Sequence, residues 1–160
     1  YMGRGYLFGI PFPVVVMLLF FGVLYVLLHK MTFGRKTFAL GGNEKAAFIA
    51  GIKSDRIKIA IYSISGLMAA VAGIIITSRL NSAQPTAGNA YEMDAIASVV
   101  LGGTSLSGGR GRLVGTLIGA LIIGTLNNGL NLLGVSSFYQ QVVKGVVIII
   151  AVLLDRKNKK

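Results

Sequence analysis

The strongest constraint in this chain is its long stretches without a formal charge. A helix crosses a hydrocarbon core of about 30 Å with roughly 20 mostly apolar residues. Four stretches approach that requirement: 10–28, 59–78, 113–133 and 135–154. The first opens with Pro11 and Pro13 and then runs uncharged from Val14 to Leu28. The second is rich in Ile and Ala, and the third carries Asn127, Asn128 and Asn131. The fourth contains Gln140, Gln141 and Lys144, which makes it the weakest of the set. With 54% hydrophobic and only 13% charged residues, the chain falls well below the charge of a soluble domain.

The basic residues are spread to one side of these spans. Lys30, Arg35, Lys36, Lys45, Lys53, Arg56 and Lys58 lie between the first two, against Glu44 and Asp55 alone. Arg156, Lys157, Lys159 and Lys160 follow the fourth. The positive-inside rule makes both segments cytoplasmic. Four crossings cannot satisfy both assignments, so a fifth is required. The segment 91–106 is the candidate, a short one reaching roughly 24 Å as a helix. It must be shielded by protein, because unpaired backbone cannot face lipid. Asn89 with Glu92 reads as a capping pair at its start. The expected fold is an all-α polytopic bundle, a single transmembrane domain with about four long helices plus this short crossing. Its N-terminus lies outside and its C-terminal tail in the cytoplasm. The chain starts at Tyr1 with no Met, no basic leader and no cleavage site. We read that as no signal peptide and a start in mid-sequence within a longer protein.

Small residues indicate how the helices pack. Gly115 and Gly119 form a GxxxG pair, while Gly66 with Ala70 and Ala69 with Gly73 repeat the same spacing. Composition excludes several functions. The net charge of +11 is distributed between apolar runs, which is a topology signal and not a nucleic-acid footprint. No cysteine and a single histidine, His29, rule out thiolate and His-rich metal sites. No serine–histidine–acid set assembles around His29, and Glu92 and Asp94 diverge on a helix. The chain is expected to be no enzyme and to need no cofactor.

The loop 34–58 carries its own helix signal over 43–51. Asn43 can cap, Glu44 favours the N-terminal end, Ala46 to Ala50 propagate, and Gly51 offers a left-handed stop. Two readings stand on these residues alone: an interfacial helix resting on anionic lipid, or a helix docking into a partner's groove.

The motif Gly41-Gly42-Asn43-Glu44-Lys45-Ala46-Ala47, followed by Ala50-Gly51-Ile52, resembles the cytoplasmic loop of the permease family of monosaccharide ABC importers. The run from Val99 through Gly111 is similar to a second marker of that family. The likeness extends over the whole chain, and residues 80–88 and 127–145 look like those of its ribose-serving members. The resemblance implies a C-terminal half of a permease in a bacterial inner membrane. It implies that Gly42, Asn43, Glu44, Ala46, Ala47, Ala50, Gly51 and Ile52 dock on an ATP-binding cassette subunit. It also implies a second permease copy in a homodimer and a periplasmic sugar-binding protein.

The remaining motifs are weighed on their residues. Gly103 and Gly108 have the outer spacing of a phosphate loop, but Gly109 stands where Lys is required. A tight cytoplasmic turn built from Gly102, Gly103, Thr104, Ser105, Gly108, Gly109 and Gly111 explains the segment better. Asn127 and Asn131 share a helical face and are either interhelical glue or the lining of a sugar pathway. Lys144 is either a functional intramembrane lysine or, the favoured reading, one that snorkels to the outer interface. Arg79 is either an interfacial anchor or a contact for the binding protein. The rival function is half of an ion-coupled secondary transporter or channel, which would expose intramembrane acids. A non-transporting scaffold would have no need for the polar faces. The identity of the sugar rests on overall likeness alone, with xylose, galactose or a signalling furanose as alternatives.

Overall fold

The computed structural model describes residues 5–7 and 9–157, with the side chains of Leu7 and of 154–157 left aside. The side chains of the basic tail, Arg156, Lys157, Lys159 and Lys160, therefore lie outside the described residues. The chain divides into two compact units, Tyr1–Gly88 and Asn89–Lys160.

The first unit opens with a short antiparallel pair, β1 (Tyr6–Leu7) and β2 (Ile10–Pro11). Helix α1 (Phe12–His29) follows, with Pro13 in its first turn, where the missing N–H costs nothing. The lone histidine closes α1 structurally, its ring stacked on Tyr25 at 4.5 Å between centroids. Helix α2 (Thr32–Gly42), helix α3 (Glu44–Ile49) and the long α4 (Ser54–Leu80) complete the unit. At 27 residues α4 spans about 40 Å, more than a bilayer core.

Most of 34–58 is helical, which corrects its reading as a loop. Three glycines and the adjacent Arg35 and Lys36 hide α2 in the sequence. Its inward face, Gly34 and Leu40, is buried. Gly34 passes so close to Leu28 that a Cβ there would overlap the Leu28 carbonyl. The tertiary contact, not intrinsic propensity, makes this helix.

The second unit is a three-helix assembly: α5 (Tyr91–Leu101), α6 (Leu113–Leu132) and α7 (Ser137–Lys157). Helix α5 packs on both others, most extensively on α6. Gly115 and Gly119 are the reason the two approach so closely. A Cβ on Gly115 would meet Gly102, and one on Gly119 would meet the Ser98 carbonyl. The GxxxG expectation holds here, and its partner is the short helix.

Two boundaries differ from expectation. The short segment 91–106 is helical only to Leu101, because the glycine turn starts at Gly102. Asn89 does not cap it. The N-cap is Ala90, held in the left-handed region at φ 66°, with no side-chain capping bond. The helix starts one residue late for the proposed pair, so Glu92 falls at the second helical position.

Three helices, α1, α4 and α6, are long and apolar enough to cross a membrane. Of α7, the part Ser137–Leu153 is apolar but shorter than that criterion. The fold class is helical and polytopic, as the apolar runs indicate.

Candidate functional site

In the first unit the chemistry gathers at α3. Asn43 Oδ1 accepts a hydrogen bond from the Ala46 N–H at 3.0 Å, the N-cap expected from sequence. At the other end Gly51 sits at φ 81°. Its N–H donates to Phe48 O at 2.9 Å, and the Ile52 N–H donates to Ala47 O at 3.0 Å. These two bonds define a Schellman stop. Six residues thus form a helix pinned at both ends.

The expected docking residues do not all face outward. Gly42, Asn43, Glu44, Ala46, Ala50 and Gly51 are exposed and Ile52 is half-buried, but Ala47 is only 4% exposed and packs inward. Two residues the sequence reading passed over stand out instead. Phe48 is 72% exposed and Ile49 85%, side by side on the surface. They line a cleft of about 750 Å³ rimmed by Glu44, Lys45, Lys53, Asp55 and Arg56. An apolar pair on a rigid helix inside a charged rim is what a partner's groove can grip. Helical spacing could have found it, since Phe48 and Ile49 are the only large apolar side chains in 43–51. Glu44 Oε1 also meets Lys58 Nζ at 2.5 Å, tying the first turn of α3 to the first turns of α4.

Arg79, in the last turn of α4, lies exposed beside β1, β2 and the start of α1. With Tyr6, Pro11, Val14 and Ile75 it lines a cavity of about 670 Å³.

In the second unit the glycine segment is a turn, as expected. Gly103, Gly108 and Gly109 all have positive φ, at 81°, 84° and 72°. The Thr104 N–H donates to Val99 O at 3.1 Å, and that of Gly103 to Val100 O at 2.9 Å, a second Schellman stop. The Ser105 N–H then reaches across the turn to Arg110 O at 3.0 Å. Ser105 is buried, Gly102 and Thr104 are half-buried, and Gly111 packs against Thr104.

The polar residues of α6 and α7 meet partners that sequence distance concealed. Lys144 Nζ lies 2.6 Å from Asp94 Oδ1, and the lysine is 9% exposed. Asn127 Nδ2 donates to the other carboxylate oxygen, Asp94 Oδ2, at 3.1 Å. The reading of Lys144 as a snorkelling side chain is corrected accordingly: its ammonium turns inward because a carboxylate on α5 awaits it. The carboxylate pairs with a cation on α7 and accepts a hydrogen bond from an amide on α6, so one acid links all three helices. Asn131 Oδ1 accepts from Gln140 Nε2 at 2.8 Å, closing the α6–α7 corner. The Asn127 Oδ1 atom is buried with no hydrogen-bond partner among the described residues. Among those residues no group of three or more His, Asp or Glu comes together to hold a metal ion.

Comparisons with known proteins agree with this architecture. The family described as the branched-chain amino acid transport system permease component matches residues 3–152. The ribose import permease protein of Bacillus subtilis is 74% identical over 156 residues, covering 98% of this chain and 48% of that protein. The ribose import permease protein of Escherichia coli K12 is 59% identical over 159 residues, covering 99% of this chain and 50% of that one. The xylose transport system permease protein of Escherichia coli K12 is 44% identical over 153 residues, covering 95% and 39%. No solved structure matches. The chain spans about half the length of the curated relatives it matches. Its apolar helices and these relatives place it among multi-pass proteins of the inner membrane. Matched from residue 3 to 152, the chain belongs to this family of transport permeases.

Proposed function

We propose that this chain supplies part of the transmembrane pathway of an ATP-driven monosaccharide importer, with ribose as its sugar. The observation that carries the mechanism is the exposed Phe48–Ile49 pair on α3, a helix capped at both ends and rimmed by charge. Names of the relatives support the cargo, two of them being ribose import permeases.

In this reading an ATP-binding cassette subunit receives α3. Phe48 and Ile49 enter its groove, while Asn43 and Gly51 keep the helix from fraying under load. The Glu44–Lys58 contact passes the push to α4. The glycine turn 102–111 lies on the same cytoplasmic side, as does the tail, given five crossings. ATP hydrolysis stays with the partner, and this chain binds no nucleotide and needs no cofactor. A second permease copy completes the pathway, and a periplasmic sugar-binding protein meets the surface at Arg79. Asn127 and Asn131 border the pathway, and the free acceptor on Asn127 is suited to a sugar hydroxyl.

The test is disulfide cross-linking in membranes holding the complete permease and its ATPase subunit. A cysteine at Ile49, with a partner cysteine scanned along the ATPase groove, should cross-link in a nucleotide-dependent way. Reaction of Ile49→Cys only with an impermeant reagent from outside would show both topology and mechanism to be wrong.

A further inference from the structure

The second unit holds a cavity of about 320 Å³ with a mixed polar and apolar lining, between the start of α5 and the N-terminal half of α7. Asn89, Glu92, Gln141 and Lys144 line it, with Met93 and Ile148 as apolar walls. Its volume sits at the lower end of the range for small-molecule pockets. We propose that this cavity is a sugar subsite of the permease. The inference rests on the importer reading and adds to it the residues that hold the cargo.

Four features point to a neutral polyol. The charge of Lys144 is already balanced by Asp94, which stands outside the cavity lining, so the ammonium adds no net charge. That ammonium carries three donors, and one contact to Asp94 leaves others for a ligand. The side chains of Asn89, Glu92 and Gln141 are exposed, line the cavity and spend no hydrogen bond on the described residues. Carboxylate and amide oxygens accept from sugar hydroxyls, amide and ammonium N–H groups donate to them, and Met93 and Ile148 suit the C–H face. A cation would find one unpaired carboxylate beside a lysine, which is a poor site. An anion would meet Glu92.

The geometry also has a fixed base. Asn127 holds the Asp94 carboxylate and Asp94 holds the Lys144 ammonium, so the lysine head is fixed rather than free. Ala90, in the left-handed region, turns the chain between Asn89 and Glu92 so that both border one cavity.

The experiment uses the complete permease with its ATPase subunits in proteoliposomes. Single cysteines replace Gln141 or Asn89, and the rate of alkylation by a maleimide is followed with and without free ribose. Ribose at about four times its dissociation constant should slow both reactions about fivefold, because the free fraction falls as 1/(1 + [L]/Kd). Adding Glu92→Leu should remove most of that protection. A control cysteine at the exposed Thr86, outside the cavity, should react at one rate throughout. Unchanged rates at both cavity positions, or equal slowing at Thr86→Cys, overturn the subsite. ATP-driven uptake of labelled ribose by the unsubstituted complex, supplied with its sugar-binding protein, separates the two readings. Uptake without protection sinks the subsite alone, whereas no uptake sinks the importer reading and the subsite with it.

Discussion

The units Tyr1–Gly88 and Asn89–Lys160 use the same building materials and end differently. Both contain a helix with small residues four apart. On α6 that face is filled: Gly115 and Gly119 lie against the backbone of α5. On α4 the corresponding face is open. Gly66, Ala69, Ala70 and Gly73 are all exposed, and a Cβ at Gly66 or Gly73 would meet nothing within 4 Å. Charged groups follow the same division. Asp94 and Lys144 satisfy each other inside the second unit, whereas Glu44 and Lys58 pair in the open on the first. The second unit thus fills its small-residue face and pairs its charges inside, whereas the first leaves both in the open, beside the exposed Phe48–Ile49 pair. Sequence spacing marks a face as able to pack closely. Whether it does depends on a partner that spacing cannot name.

The largest test of this contrast is Lys144→Met, which strands a carboxylate in the interior of the second unit. It should lower the stability of the purified permease by about 3–5 kcal/mol, read from its thermal melt in detergent. Adding Asp94→Leu should recover most of the loss, because removing both charges leaves nothing uncompensated. A double variant no better than the single would show that the pair is not coupled.

Next comes Gly119→Val, where the added carbons must displace the Ser98 backbone. A loss of about 1–3 kcal/mol is expected in the same melt. Asn43→Ala removes the cap of α3 and should cost about 1 kcal/mol of local stability. Hydrogen exchange at the Ala46 and Ala47 amides reads this directly, and the rate of sugar uptake should fall with it. Protection unchanged by the substitution would mean that α3 is held by something other than its cap.

The smallest effect is expected at Gly66→Val, within about 0.5 kcal/mol, as for a surface position away from any contact. A loss there equal to that at Gly119 would mean that the α4 face meets a helix in the complete permease. The difference between the units would then be one of partner and not of kind.

Much of the architecture was legible from the residues. The apolar runs lead to α1, α4, α6 and α7 within a few residues of their ends, since the cost of burying backbone in lipid leaves helix as the solution. Asn43 and Gly51 disclosed the ends of α3 because caps are local events, settled within one turn. Helix α2 was missed where a glycine, poor for helices on propensity, is required by the close pass at Leu28. The cap at Asn89 was misplaced by one residue because Ala90 adopts a conformation that alanine rarely does. Phe48 and Ile49 are marked in the sequence only as the two large apolar residues of 43–51, and their outward exposure is a property of the folded unit.

The sequence by itself determined that this is a helical membrane protein, where its charges stand relative to the spans, and where α3 and the glycine turn stop. These follow from transfer free energies and from contacts within a few residues. Only the tertiary structure decided that Lys144 turns inward to an Asp94 also held by Asn127, and that one glycine face is filled while the other is bare. Those outcomes depend on groups far apart in the chain. Their energies exist only once separate helices have been brought side by side.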